Sequence, residues 1–188
     1  MSGFVLPPPR IRPWKRLAAR EVSDHGVFRV LSLSMQDDAG KPRRDFSIFH
    51  CPDWCNVVPV TDAREIVLIW QYRFGTDALS LEIPGGVIDG AESPIAAAER
   101  ELREETGYAA RRFAPLCTTE PNPALQDNRC HVFVAEGAHP AGATSFDENE
   151  ECEVVLVPES ALAELLDQGA ITHSLVRVAL ETYLRKRR

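Results

Sequence analysis

Three things are missing from this sequence: a long apolar run, a closely spaced cysteine pair and an excess of basic residues. Each absence excludes a class. No apolar stretch approaches the roughly 20 residues that cross a bilayer, so no membrane span is expected. Residues 1–14 carry prolines and arginines but no apolar core of about 7–15 residues, so a secretory signal is not expected there either. Cys51, Cys55, Cys117, Cys130 and Cys152 are odd in number and form no CxxC pair. That pattern argues against a disulfide framework and against a zinc site. It suits idle thiols in a reducing, cytoplasmic setting. The formal net charge of −7 disfavours a nucleic-acid surface, which needs a basic patch. An acidic protein that handles phosphates must bring its own cations, which points to bound metal.

What is present is an ordinary globular composition, 44% hydrophobic and 26% charged over 188 residues, enough for one domain with a real core. Residues 1–13, rich in Pro and Arg, read as a flexible arm, and residues 14–188 as a single domain. Phe28, Val30, Leu31 and Leu33 precede Asp37-Asp38-Ala39-Gly40, and Arg44, Phe46, Ile48 and Phe49 follow it. This predicts a hairpin turning at residues 38–40. A strand over residues 56–60, a turn at 61–64 and a buried strand through Ile66, Val67, Leu68, Ile69 and Trp70 come next. A central helix is capped by Ser93, has Pro94 in its first turn and ends at Gly107, with Ile95, Ala98 and Leu102 as its apolar contacts. Further strands are expected at residues 113–118, 129–135 and 153–157, and helices at 159–166 and 174–184. Strands interrupted by few helices predict an α+β domain, a mixed sheet packed between helices with an antiparallel β region at residues 14–50.

The informative stretch is EIPGGVIDGAESPIAAAERELREETGY, residues 82–108. On the helix, Glu101 and Glu105 stand four residues apart on one face, with Glu104 about 60° round from Glu101 at 3.6 residues per turn. A solvated helix laced with ion pairs, such as Arg100 with Glu104, is the plain alternative. It leaves the like-charged pair Glu101 and Glu105 unexplained, because such a pair is destabilising unless a cation sits between the two. It also leaves unexplained the glycines just ahead, Gly85, Gly86 and Gly90, which let backbone approach an ion or phosphate closely. Mg²⁺ takes a carboxylate or two together with carbonyls, waters and substrate phosphates.

Gly86, five residues, Glu92, seven residues and Arg100-Glu101-Leu102-Arg103-Glu104-Glu105-Thr106-Gly107-Tyr108 resemble the Nudix box, Gly-x5-Glu-x7-Arg-Glu-U-x-Glu-Glu-x-Gly-U with U bulky and apolar. Every fixed position matches, and the last U is Tyr108. The resemblance implies a Nudix fold, a sheet sandwiched between helices in which residues 86–108 form loop–helix–loop. It also implies hydrolysis of a nucleoside diphosphate linked to another group. By matched position Glu101 and Glu105 are the main metal ligands, Glu104 helps hold metal or water, and the Gly85 carbonyl is offered to a metal. The metal implied is Mg²⁺, with Mn²⁺ as a substitute. Arg100 orients the glutamates and Glu92 braces the loop.

The flanks bear on the substrate. Gln71-Tyr72-Arg73 followed by Glu82-Ile83-Pro84-Gly85-Gly86 is similar to the ADP-ribose and nucleotide-sugar branch. There the arginine contacts the pyrophosphate and the glutamate helps bind metal or substrate. Pro123, about fifteen residues beyond the box, matches a proline associated with ADP-ribose hydrolases. The segment Asp127-Asn128-Arg129-Cys130-His131 resembles a bacterial group acting on nucleoside diphosphate sugars, with His131 itself expected to be a packed or edge histidine. In the acidic cluster Asp147-Glu148-Asn149-Glu150-Glu151, the resemblance makes Glu148 the first choice and Glu150 the second for the general base. Candidate clamps for the base are Trp14, Phe28, Phe46 and Trp54, whose default role is core packing. A homodimer with exchanged N-terminal strands, residues 14–50 at its interface, is implied by the same branch. Two alternatives stand beside this reading. One is a Nudix hydrolase of dinucleoside polyphosphates, coenzyme A or damaged nucleoside triphosphates. The other is a non-catalytic nucleotide-sugar sensor, which tends to lose box glutamates.

Overall fold

A computed structural model describes residues 5–146 and 151–187. The chain divides into two compact units: Met1–Cys51 with Asn122–Asp127, and Pro52–Pro121 with Asn128–Arg188.

The first unit is an antiparallel sheet in the order β1 (Lys15–Asp24), β2 (Arg29–Gln36), β3 (Phe46–His50). The expected hairpin is β2–β3, with Leu31 opposite Ile48 and Leu33 opposite Phe46. Its turn is closed by Asp37, whose Oδ1 accepts the N–H of Ala39 at 3.1 Å and of Lys41 at 2.8 Å. Gly40 adopts φ +83°, a left-handed conformation that a Cβ would penalise. β1 carries no clean alternation and is exposed along nearly its whole length. It is held by pairing to β2, with register shifts at Arg16/Ala18 and Glu21/Ser23 that bend and twist the strand.

The second unit contains β4 (Trp54–Thr61), β5 (Glu65–Arg73), β6 (Ala78–Glu82), β7 (Gly85–Val87), α1 (Pro94–Thr106), β8 (Tyr108–Ala109), β9 (Arg112–Thr119), β10 (Cys130–Pro140), β11 (Cys152–Pro158), α2 (Leu162–Asp167) and α3 (Ser174–Arg187). The sheet runs β11-β5-β4-β10-β8, with β6 added to β5, β7 to β4 and β9 to β10. Strands β4 and β10 are parallel while the other pairs are antiparallel, so the sheet is mixed. Ile66, Val67, Leu68 and Ile69 of β5 are all fully buried, which explains their unbroken apolar run: both faces of this strand are covered. On one face Val58, Ile66, Leu68 and Leu81 pack with Leu162, Val176, Leu180 and Tyr183 of α2 and α3. On the other, Cys55, Val57, Phe133 and Ala135 pack with Ala97, Ala98 and Leu102 of α1. Each fully buried Val, Leu or Ile contributes about 1.5–3 kcal/mol, so the two layers fix α1 firmly on its face.

Three expectations need correction. Ile95 is 39% exposed, because the face of α1 turned to the sheet carries the box glutamates, and the buried stripe runs through Ala97, Ala98, Glu101, Leu102 and Glu105. The helix expected at 159–166 opens with a 3-10 turn, Glu159–Ala161, before α2 begins. Strand β10 continues to Pro140, beyond the expected residue 135. Among the described residues no helix is long and apolar enough to cross a membrane.

Candidate active site

Helix α1 is fixed at both ends. Ser93 Oγ accepts the Ala96 N–H at 3.3 Å, and Gly107, at φ +70°, donates its N–H to the Arg103 carbonyl at 2.8 Å. Between these caps the helix turns Glu101 and Glu105 inward, 8% and 4% exposed. Opposite them lies β7, a strand whose first two residues are glycines. It pairs with β4 so that Gly85 faces Asn56 and Gly86 faces Cys55. The Gly85 N–H donates to Glu105 Oε2 at 2.8 Å. Gly86 lies directly under the Glu101 carboxylate: a Cβ there would come within 2.6 Å of Glu101 Cδ and closer still to Oε1. At this position glycine leaves the Glu101 carboxylate its place, which a Cβ would take. Two carboxylates this buried, one helical turn apart, repel each other strongly in a low dielectric, and a cation relieves that repulsion.

Arg100 ties the loop to the helix. Its guanidinium donates to Glu92 at 2.8 Å, Glu101 at 2.9 Å, Glu104 at 3.0 Å and the Val87 carbonyl at 3.0 Å. Glu92 in turn accepts the Asp89 N–H at 2.9 Å, closing the loop on itself. The hydrogen bond it donates to Glu92, followed by those to Glu104 and Glu101, raises the Arg100 pKa against the opposing effect of burial. Arg100 is therefore a permanent charge in this network.

Beside the helix, Glu82 ends β6 almost wholly buried, 2% exposed. Arg73, at the end of β5, grips it bidentately, Nε to Oε1 and Nη2 to Oε2, both at 2.8 Å. Burial pushes the Glu82 carboxyl pKa up, but the Arg73 hydrogen bonds and charge, with smaller help from His173 and Ser80, hold it below the usual carboxylate range. The Arg73 side chain is 42% exposed, so its outer edge reaches solvent.

A hard divalent cation fits the donor set in a specific sense. Among the described residues no three acidic, His or Cys side chains form a ready-made cage. What exists is a buried carboxylate pair against a glycine strand, the arrangement suited to an ion that fills its shell from one or two carboxylates, backbone oxygen, water and substrate phosphate.

The structure sets Gly85 against Glu105 and joins Glu101 and Glu104 through Arg100, while Arg73 and Glu82 pair across the β5–β6 hairpin. Pro123 is exposed in the first unit, as are Trp14 and, in part, Phe28 and Phe46; Trp54 packs against the core of the second. Glu148 and Glu150 lie outside the described residues. His131, read as a packed or edge histidine, meets Asp53 at 3.2 Å and Thr118 at 3.5 Å. A cavity of about 660 Å³ is lined by Trp70, Gln71, Tyr72, Leu79 and residues 151–153. It contains none of the box glutamates. His173 and Ser80 beside Glu82, and Asn56 beside Gly85, were not anticipated. Their elements are far apart in the sequence and share no motif spacing, so only the fold reveals them.

Residues 55–176 match the model of the NUDIX domain family. A CMP-5'-(N-acetyl-N-hydroxy-3-aminopropyl)phosphonate hydrolase of Streptomyces rubellomurinus is 34% identical over 167 residues, 89% of this chain and 80% of that protein. An ADP-ribose pyrophosphatase of Bacillus subtilis is 28% identical over 173 residues, 89% of this chain and 93% of that protein. A crystal structure of an ADP compounds hydrolase superposes with a TM-score of 0.82 at 25% identity, covering 95% of this chain and 96% of that one. The chain belongs to the Nudix family and is a Nudix hydrolase.

Proposed function

We propose that the protein is a Mg²⁺-dependent pyrophosphohydrolase that cleaves the diphosphate of ADP-ribose or a related nucleoside diphosphate sugar. The products are a nucleoside monophosphate and a sugar phosphate, AMP and ribose 5-phosphate for ADP-ribose. The observation that carries the reading is the buried pair Glu101 and Glu105 set against Gly85 and Gly86, with an arginine exposed on one edge at the neighbouring strand end. The names of the Bacillus subtilis relative and of the similar crystal structure support an adenosine diphosphate compound as substrate.

Glu101, Glu105, Glu104 and the Gly85 carbonyl would hold the metal, with Mn²⁺ able to substitute. When bound, a divalent ion neutralises charge on the phosphates and lowers the pKa of an attacking water. Water oxygen attacks one phosphorus in line and the bridging P–O bond breaks, leaving its electrons on the departing phosphate. Glu148, with Glu150 as second choice, takes the water's proton. Arg73 turns its outer N–H groups to the diphosphate, Glu82 holds Arg73 in place, and Pro123 lines the substrate path. Arg100 keeps Glu101 and Glu104 oriented. The protein acts as a cytoplasmic homodimer with residues 14–50 at the interface, and binds neither nucleic acid nor membrane.

The test is a hydrolysis panel with Mg²⁺: ADP-ribose, ADP-glucose, GDP-mannose, NADH, a cytidine-linked diphosphate, Ap4A, coenzyme A and oxidised dGTP. The reading expects ADP-ribose or a nucleoside diphosphate sugar to give the highest kcat/KM. Turnover confined to Ap4A, coenzyme A or oxidised dGTP would move the protein to another substrate class, and no turnover of any of them would sink the enzymatic reading. The cytidine-linked compound is included because of the CMP-phosphonate hydrolase relative.

A further inference from the structure

His173 belongs to no motif and stands outside the box, yet it faces the Arg73–Glu82 pair. It lies in the segment leading into α3, and its carbonyl accepts the Arg177 N–H at 3.0 Å, so the helix start fixes its backbone. The side chain is 32% exposed, with Nε2 3.9 Å from Glu82 Oε2. Its other ring nitrogen, Nδ1, is buried without a hydrogen-bond partner among the described residues. A neutral imidazole carries its proton on one nitrogen only. Buried N–H groups lacking an acceptor are rarer than bare acceptors, so the favoured tautomer has the proton on Nε2, facing the carboxylate.

The arrangement matters because Arg73 has two demands on it. In the structure it spends Nε and Nη2 on both oxygens of Glu82. A diphosphate draws on the outer N–H groups, those of Nη1 and the second of Nη2, so Nη2 must serve both acceptors at once. Any lean of Arg73 toward substrate loosens its hold on a carboxylate that is 2% exposed. A buried carboxylate left with the Ser80 hydroxyl in place of a guanidinium is unfavourable, and that penalty opposes substrate binding. His173 is placed to relieve it: a movement of about 1 Å converts the 3.9 Å separation into a hydrogen bond of ordinary length, about 2.9 Å.

We propose that His173 is a positioning residue that takes over one oxygen of Glu82 when Arg73 engages the diphosphate. The inference rests on the role given to Arg73 in the proposed function. It assigns Glu82 two alternating partners, one from β5 and one from the start of α3.

The experiment compares wild type with His173→Ala, His173→Asn and His173→Gln, using ADP-ribose or whichever panel substrate is turned over fastest. His173→Ala should raise KM about 10-fold with kcat within about 2-fold, the signature of lost binding rather than lost chemistry. His173→Gln, which retains an N–H donor of similar reach, should recover most of the loss. The shorter His173→Asn should recover less while serving equally well at the helix start. Unchanged KM in His173→Ala with an active wild type would overturn this inference and leave the proposed function standing. Equal losses in all three variants, accompanied by a lowered Tm, would mean His173 only supports α3, and would also overturn it. A wild type inactive on every compound removes the proposed function and this inference together. Should His173→Ala fail to fold, imidazole ¹⁵N resonances of His173 decide the matter: Glu82→Gln should shift the Nε2 signal, and an unmoved signal rejects the contact.

Discussion

Two neighbouring glycines should respond in opposite ways to the same added methyl group. In Gly86→Ala the new Cβ would lie 2.6 Å from Glu101 Cδ. Non-bonded carbons settle at about 3.5–4.0 Å, so the carboxylate must retreat by roughly 0.9 Å or more. The obstacle is the far end of a flexible side chain, so the fold can yield and Tm should change by less than about 2 °C. The carboxylate, however, leaves the place from which it would act, and a misplacement near 1 Å costs about 10²-fold in rate, some 2.7 kcal/mol. In Gly85→Ala the methyl group meets backbone as well as the Asn56 side chain: Asn56 Cα would lie at 2.9 Å and the Cys55 carbonyl oxygen closer still. Strand β4 lies in the middle of the sheet and cannot move aside, so overpacking of about 1–3 kcal/mol should lower Tm by several degrees. The assays are kcat/KM with Mg²⁺ and a thermal melt of each variant. Wild-type kcat/KM in Gly86→Ala would refute the claim that Glu101 must hold its position. Similar melting losses in both variants would refute the distinction between a side-chain and a backbone obstacle.

Glu105→Gln should lower kcat by about 10²-fold or more while leaving the circular dichroism spectrum and oligomeric state unaltered; near-normal turnover rejects Glu105 as a metal ligand. Glu148→Gln should depress kcat far more than it changes KM, and if Glu150→Gln does so instead, the base is Glu150. Glu82 is held below the usual carboxylate range, so its ionised form stabilises the fold above its unfolded pKa of about 4.3. That contribution is lost as pH falls through the lower folded pKa. Denaturant titrations should therefore show wild type converging on Glu82→Gln below about pH 4, and a constant difference between the two at all pH values would contradict the assignment.

The carboxylate helix was legible because its signals are local. Ser93, Pro94 and Gly107 mark its ends, and the four-residue spacing of Glu101 and Glu105 states which face they share. The central strand was equally plain, since Ile66 to Ile69 are all apolar and both faces of that strand are covered. Strand β7 was invisible for the opposite reason. Gly85 and Gly86 have poor strand propensity, and they form a strand only because Asn56 and Cys55 of β4 pair with them. Strand β1 lies inside the β region expected at residues 14–50, but its bounds were not legible because its side chains are exposed on both faces, so pairing and not burial pattern defines it. Arg73 and Glu82 could be named from the flanking residues, but their bidentate pairing follows from the β5–β6 register, which sets Glu82 opposite Ile69 so that the long Arg73 side chain must reach back along the hairpin. His173 reaches the site through the packing of α3, a long-range relation that no spacing encodes.

The wiring of Arg100 has a consequence for how such a molecule can change. Its partners, Val87, Glu92, Glu101 and Glu104, all belong to the loop and helix that Arg100 itself belongs to. The segment is thus internally referenced, like a machined part that carries its own alignment pins. It meets the remainder of the chain through an apolar underside, the β7–β4 pairing, the Ile88 N–H to the Asp53 carbonyl, and the carbonyls of Glu104 and Gly107, which accept N–H groups of residues 141–145. Alterations around the hairpin tip between β5 and β6, or in the loop between β9 and β10, can reshape what is recognised without disturbing the alignment of the glutamates. Grafting new specificity should therefore begin at those edges, with residues 86–108 carried over intact.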